Sequence, residues 1–138
     1  MDGQTGAVIS LDLARRLLAA GADWTPAAGD RFTVPDKTED EVFTVSEMVV
    51  EVHERPTGRH FDFNGTTEWA LDSVAQEEVL WLPREDQLRV MLGDAFVSML
   101  ATPGGFVVVI DRDGRQERHI DIDAECAYAR AVLSLAAS

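Results

Sequence analysis

The last third of the sequence constrains the fold most, because apolar stretches alternate there with turn residues. The stretches AFVSMLAT and GFVVVID flank Pro103-Gly104-Gly105, and RHIDI follows the turn Asp113-Gly114. Short apolar runs separated by such turns are typical of β-hairpins. We therefore predict a three-stranded antiparallel meander in this part of the chain.

Capping signals predict helices before and after this meander. Ser10 precedes an amphipathic segment that runs to Ala20, Pro83 suits the first position of a second helix, and Asp123 suits the cap of a third that ends near Ala136. The apolar side of the first helix is predicted to comprise Leu13, Ala14, Leu17 and Leu18. On the third helix, Tyr128, Val132 and Leu135 are predicted to face the sheet, and Arg130 and Ser134 to face solvent.

The middle of the chain is predicted to contain short strands. Apolar and polar residues alternate before the turn RPTG and again after it, which predicts a hairpin whose return strand carries Phe61 and Phe63. Further strands are predicted at Arg31–Val34 and Val79–Leu82. We expect the acidic segment KTEDE (37–41) to be a surface loop. A short helix is predicted to start at Thr66 or Thr67 and to carry Trp69, Leu71 and Val74.

Helices and hairpins in this order predict an α+β fold, with antiparallel sheet covered by helices on one face. We expect residues 1–9 to form a flexible leader and 10–138 to form a single compact domain. The motif RHFDF at 59–63 returns as RHIDI at 118–122. The repeat leaves two interpretations open: an ancient duplication into two similar halves, or two return strands that obey the same rules.

Charge limits the classes of partner. The chain has 25 acidic and 12 basic residues, a net charge of -13, which opposes contact with a nucleic-acid backbone or an anionic membrane. We expect the acidic surface to serve solubility or to face a basic protein partner. No N-terminal stretch resembles a signal peptide, so a cytoplasmic location is predicted.

Two His-Asp pairs are the candidate metal ligands. His60 and Asp62 lie two apart on one predicted strand, as do His119 and Asp121 on another. If the strands were neighbours, the four side chains could bind a divalent metal. The alternative, which we favour, is that they form the wet sides of two amphipathic strands, whose other sides carry the apolar residues. We therefore predict no metal and no cofactor.

The densest stretch of aromatic and charged residues is FNGTTEWALDSVAQEEVLWLPREDQL. One interpretation makes it the wall of a ligand pocket, in which tryptophans stack on the ligand and charged groups orient it. The other makes the tryptophans core residues. The candidate ligand-binding residues are Trp69, Trp81, Glu68, Asp72 and Arg84.

The blocks FNGTTEWALDSV and LWLPREDQL, together with DEVFTVSEMVVEVHERPTG, resemble a family of small uncharacterised actinobacterial proteins that are often labelled as pilus-assembly proteins. The resemblance covers most of the chain after residue 9 and implies a compact α+β fold. The label implies a relation to nucleotide-binding ATPases, but the sequence has no phosphate loop. The resemblance therefore supplies no catalytic residues.

The sequence also lacks the signatures of acyl transfer and hydride transfer. We predict a non-enzymatic interaction or regulatory module without catalytic residues. The alternative is a small-molecule-binding protein or minor enzyme that uses a pocket near Trp69 and Trp81.

Overall fold

The computed structural model describes residues 8–35, 38–46, 50–63 and 73–137. In chain order the elements are α1 (Leu11–Ala19), β1 (Arg31–Val34), β2 (Thr38–Thr44), β3 (Val50–Arg55), β4 (Gly58–Phe63), β5 (Ser73–Ala75), β6 (Leu80–Leu82), α2 (Glu85–Leu92), β7 (Phe96–Thr102), β8 (Gly105–Arg112), β9 (Arg115–Asp121) and α3 (Ala124–Ala136). The predicted α+β class is confirmed. Among the described residues, no helix is long and apolar enough to cross a membrane.

The chain forms two compact units. One comprises 8–23 and 83–137, with all three α-helices and β7 to β9, and the other comprises Trp24–Leu82, with β1 to β6. We call them the helical unit and the strand unit. The predicted single domain over 10–138 stays a prediction.

The helical unit is an antiparallel sheet with helices on one face, as predicted. Its strand order is β7-β8-β9, and α3 contacts β8 and β9 on one side and both other helices on the other. Tyr128 on α3 is 1% exposed and stacks on Phe96 of β7, with ring centroids 6.0 Å apart. Burial in this core raises the pKa of the Tyr128 hydroxyl.

The helix ends of this unit follow the capping signals in part. The Ser10 hydroxyl accepts a hydrogen bond from the Leu13 amide at 3.2 Å, so the predicted cap of α1 is confirmed. Leu18, however, is 61% exposed, so the prediction that it belongs to the apolar side of α1 was wrong. The predicted start of α2 at Pro83 was also wrong, because the helix begins after Arg84, whose amide donates to the side chain of Gln87 at 2.9 Å.

The described residues of the strand unit form two three-stranded antiparallel sheets, of order β2-β1-β6 and β3-β4-β5. Its core joins residues of both sheets around Phe32 and Phe61, which are fully buried. The predicted hairpin is confirmed, since β3 and β4 pair from Val50↔Phe63 to Arg55↔Gly58.

Two predictions for this unit were wrong. Residues 38–41 are not a surface loop but the start of β2, which pairs with β1 at the edge of its sheet. Edge strands accept charged residues, so acidity alone did not distinguish loop from strand. Val74 does not lie in a helix, because it pairs with Phe61 in β5 and is 1% exposed. The rest of the predicted helix, from Thr66 or Thr67 to Asp72, lies outside the described residues.

Candidate functional site

The predicted ligand-binding residues are only partly described. Glu68, Trp69 and Asp72 lie outside the described residues. Trp81 lies on β6 of the strand unit, and Arg84 lies in the helical unit just before α2. The Arg84 guanidinium donates to Asp86, with Nε 3.1 Å from Oδ1, and holds the pKa of that carboxyl below its usual value. Neither unit by itself contains both Trp81 and Arg84, and the predicted pocket stays a prediction.

Trp81 is half-buried and belongs to an aromatic stack. Its ring is parallel to that of Trp24, with centroids 5.7 Å apart and planes 1° apart, and Trp24 also stacks on Phe61 at 5.4 Å. The Trp24 indole donates to Oδ2 of Asp30 at 2.9 Å, and Asp30 is 4% exposed. The indole nitrogen of Trp81 is buried, and no described residue accepts its hydrogen.

Sequence reasoning missed Trp24, which lies in a turn-rich segment between α1 and β1. The signal was present in the spacing to Asp30, since an acid six residues from a tryptophan across a turn can accept the indole hydrogen. The backbone amide of Ala27 donates to the same Asp30 oxygen at 3.0 Å. The carboxylate therefore fixes the turn and the tryptophan together.

The two His-Asp pairs lie on strands of different sheets. β4 pairs with β3 and β5, whereas β9 pairs with β8, so the strands are not neighbours in a sheet. In β4, His60 lies 3.1 Å from the carbonyl oxygen of Gly58, and Asp62 forms an ion pair with Arg55. The sheet order therefore does not supply the strand pairing on which the metal interpretation depended.

A polar cluster lies between β8, β9 and α3, and we call it the Glu117 cluster. The Ser134 hydroxyl donates to Oε1 of Glu117 at 2.8 Å, and Nε2 of His119 lies 3.2 Å from the same oxygen. Nε of Arg112 lies 2.9 Å from Oε2, and its Nη2 donates to the hydroxyl and carbonyl oxygens of Ser134. The prediction that Ser134 faces solvent was wrong, because these partners satisfy a hydroxyl on the sheet side of α3.

The geometry of the Glu117 cluster fits a structural role. In a serine hydrolase, the histidine accepts the proton of the serine hydroxyl. Here the hydroxyl of Ser134 donates to Glu117 instead, and His119 contacts that same carboxylate. The hydrogen bond from Ser134, followed by that from His119, lowers the pKa of Glu117. A carboxylate held in its ionised form is a poor general acid, so the cluster joins α3 to the sheet.

A second group of possible ligand atoms lies at the start of α3. Asp121, Asp123 and Cys126 each place one such atom within 4.8 Å of the others. Asp121 is already engaged, because its Oδ2 accepts from Arg130 at 2.9 Å and its Oδ1 from the Asp123 amide. Burial, reinforced by the charges of the two acids, raises the pKa of the Cys126 thiol. A protonated, buried thiol behaves as a core residue rather than as a ligand.

The alternation of β9 is opposite to the one predicted. Glu117 and Asp121 contact α3, and side chains alternate along a strand, so Ile120 points away from the helix. Ile120 is 60% exposed, and Ile122, just past the strand, is 76% exposed. The expectation that the polar residues form the wet side of this strand was therefore wrong. The physical reason is that the Glu117 cluster gives the polar side partners on α3.

Ile120 belongs to an apolar row across the sheet. Leu100 pairs with Val107 and Val107 with Ile120, so the three side chains share one face. Leu100 is 53% exposed, and Arg118, two residues before Ile120, is exposed on the same face. We call this surface, formed by Leu100, Val107, Arg118 and Ile120, the outer face. Exposed apolar side chains grouped on one side of a sheet are typical of contact surfaces.

No protein-family model matches the chain, and neither a curated protein nor a solved structure matches it.

Proposed function

We propose that the protein is a non-enzymatic interaction module that binds a partner polypeptide through the outer face. The observation that carries this proposal is the exposure of Leu100 and Ile120 on the side of the sheet opposite α3. Single exposed apolar residues need no explanation, but a group on one sheet face is a candidate interface. The net charge of -13 favours a partner whose own net charge is positive.

Burial of the outer face contributes only a limited free energy of binding. Burying a Leu or Ile side chain completely stabilises a complex by about 1.5–3 kcal/mol. Two side chains that are 53% and 60% exposed therefore contribute about 2–3 kcal/mol in total. Micromolar affinity requires about 8 kcal/mol. The partner must therefore make further contacts beyond the apolar row.

Photo-crosslinking tests the proposal by position. The photoreactive residue p-benzoylphenylalanine replaces Leu100 or Ile120 in the cells that produce the protein, and Val90 serves as the matched control. Val90 is 79% exposed on α2 of the same unit, so it reports on exposure alone. We expect one discrete adduct of the same mass from both outer-face positions and none from Val90. Equal adducts from all three positions, or none from the outer face, would refute the proposal.

A second candidate function is small-molecule binding at the stack of Trp24 and Trp81. It is favoured by the buried indole nitrogen of Trp81, because an unpaired buried donor is costly and a ligand acceptor would satisfy it. The test is a titration with small carbonyl-bearing aromatic compounds, observed through the indole N–H resonances and assigned with Trp81→Phe. Saturable shifts confined to the two stacked indoles would support this function. Shifts that stay linear with concentration would reject it.

A further inference from the structure

We propose that the partner adds an extended segment to the free edge of β9 as a fourth strand, with an acidic residue opposite Arg118 and an apolar residue opposite Ile120. This inference rests on the proposed function and specifies the chemistry of the partner. Strand addition supplies main-chain hydrogen bonds for affinity, while alternate side chains supply specificity. Those hydrogen bonds are the further contacts that the apolar row requires.

The two edges of the sheet differ in regularity. Both β7 and β9 lie at an edge, since each pairs only with β8 among the described residues. The register of β7 shifts between Phe96 and Ser98, and such an irregularity makes an edge a poor template. β9 pairs continuously with β8, from Arg112↔Arg115 to Phe106↔Asp121. β9 is therefore the edge at which another strand can pair in register.

The charges on β9 define the segment that fits. Within the described part of the chain, the side chains of Arg115 and Arg118 have no hydrogen-bond or ion-pair partner, whereas Arg112 contacts Glu117. Arg118 shares the outer face with Ile120, so an added strand places side chains opposite both. An acidic residue two positions from an apolar one matches that pair.

The net charge of the protein alone predicts a preference for basic peptides, whereas strand addition opposite Arg118 predicts a preference for acidic ones. The two predictions can therefore be distinguished by experiment. At long range, a chain of net charge -13 attracts a basic peptide and repels an acidic one. A partner that is basic overall satisfies this long-range term, while its docking segment presents an acid to Arg118. Salt near 0.15 M screens the long-range term beyond about 8 Å and leaves the direct contact.

The experiment uses the palindromic peptide Thr-Val-Thr-Glu-Thr-Val-Thr, which fits a parallel or an antiparallel strand, and its counterpart with Lys at the centre. Each is titrated by NMR into the full ¹⁵N-labelled chain, into Arg118→Glu and into Arg15→Glu. Arg15 is an exposed arginine on α1, and no described residue pairs with its side chain. Arg15→Glu therefore changes the net charge equally without touching β9.

We expect the wild type and Arg15→Glu to bind the Glu peptide at least about fivefold more tightly than the Lys peptide, with shifts concentrated on β9. Arg118→Glu should invert this preference. Tighter binding of the Lys peptide to all three proteins, shifts on β7, or no binding would overturn the inference. Shifts on β9 that grow with protein concentration in the absence of peptide would identify a second copy as the occupant, which also overturns it. If crosslinks still form at Leu100 and Ile120 but not at Val90, while neither peptide binds β9, the proposed function stands and only strand addition is wrong.

Discussion

Trp24 and Trp81 form a matched pair in which the same substitution should have different costs. Both rings belong to one stack, but the indole of Trp24 donates to Asp30, while that of Trp81 is buried and has no acceptor among the described residues. Replacing either with Phe removes a similar apolar area, worth about 1 kcal/mol. Trp24→Phe also removes a hydrogen bond to a carboxylate, worth about 1.5–3 kcal/mol.

Trp81→Phe instead removes an unpaired buried donor, whose burial costs about 1–3 kcal/mol. We therefore expect Trp24→Phe to lower the free energy of unfolding by about 2.5–4 kcal/mol and Trp81→Phe to leave it unchanged or raise it by up to about 2 kcal/mol. The measurement is urea denaturation followed by far-UV circular dichroism, since fluorescence would change with the tryptophans. The comparison requires equal m values for the three proteins. Equal destabilisation of both variants would refute the reasoning and show that the indole of Trp81 has an acceptor.

Three further predictions concern local features of the helical unit. Ser10→Ala should destabilise the protein by about 1 kcal/mol through loss of the α1 cap, measured by urea denaturation. Gly105→Ala should lower the melting temperature far more than Gly104→Ala. Gly105 has φ +142°, and an added Cβ would lie 2.5 Å from the carbonyl oxygen of Asp121, whereas a Cβ added at Gly104 would meet open space. Equal melting temperatures of the two variants would contradict this. Glu117 has a lowered pKa in the folded state, so its contribution to stability is present above its ordinary pKa of 4.5 and is lost as the pH falls through the folded value. The stability difference between wild type and Glu117→Gln should thus shrink below pH 4.5, and a difference independent of pH would count against the ionised cluster.

The sequence predicted the elements whose signals are local. Ser10 marked the start of α1, Asp113-Gly114 marked a hairpin turn, and Arg31–Val34 is a strand with the predicted bounds. In each case the signal lies within a few residues of the element that it defines. The prediction of a loop at the acidic start of β2 was wrong because the signal is not local: the strand conformation of this segment depends on pairing with β1.

The orientation of β9 shows why the candidate surface could not be predicted. Periodicity identified a strand, but the usual rule that isoleucines are buried and polar residues are exposed assigned its faces incorrectly. Which face packs on α3 is decided by Glu117 and Asp121, whose partners Ser134 and Arg130 lie 17 and 9 residues further along the chain. Such contacts are not visible in the local pattern. The exposed apolar row of Ile120 therefore emerged only from the fold.

Binding of a partner at the outer face is tested most directly by combining a crosslinker with a second change on the same face. The chain carries p-benzoylphenylalanine at position 100, and Ile120 is either kept or replaced by Ser. Ile120 is 60% exposed, so Ile120→Ser should leave the melting temperature nearly unchanged. Loss of its contact with the partner should reduce the yield of adduct about tenfold at limiting partner concentration. An unchanged adduct yield, in a variant that is folded and equally stable, would contradict the claim.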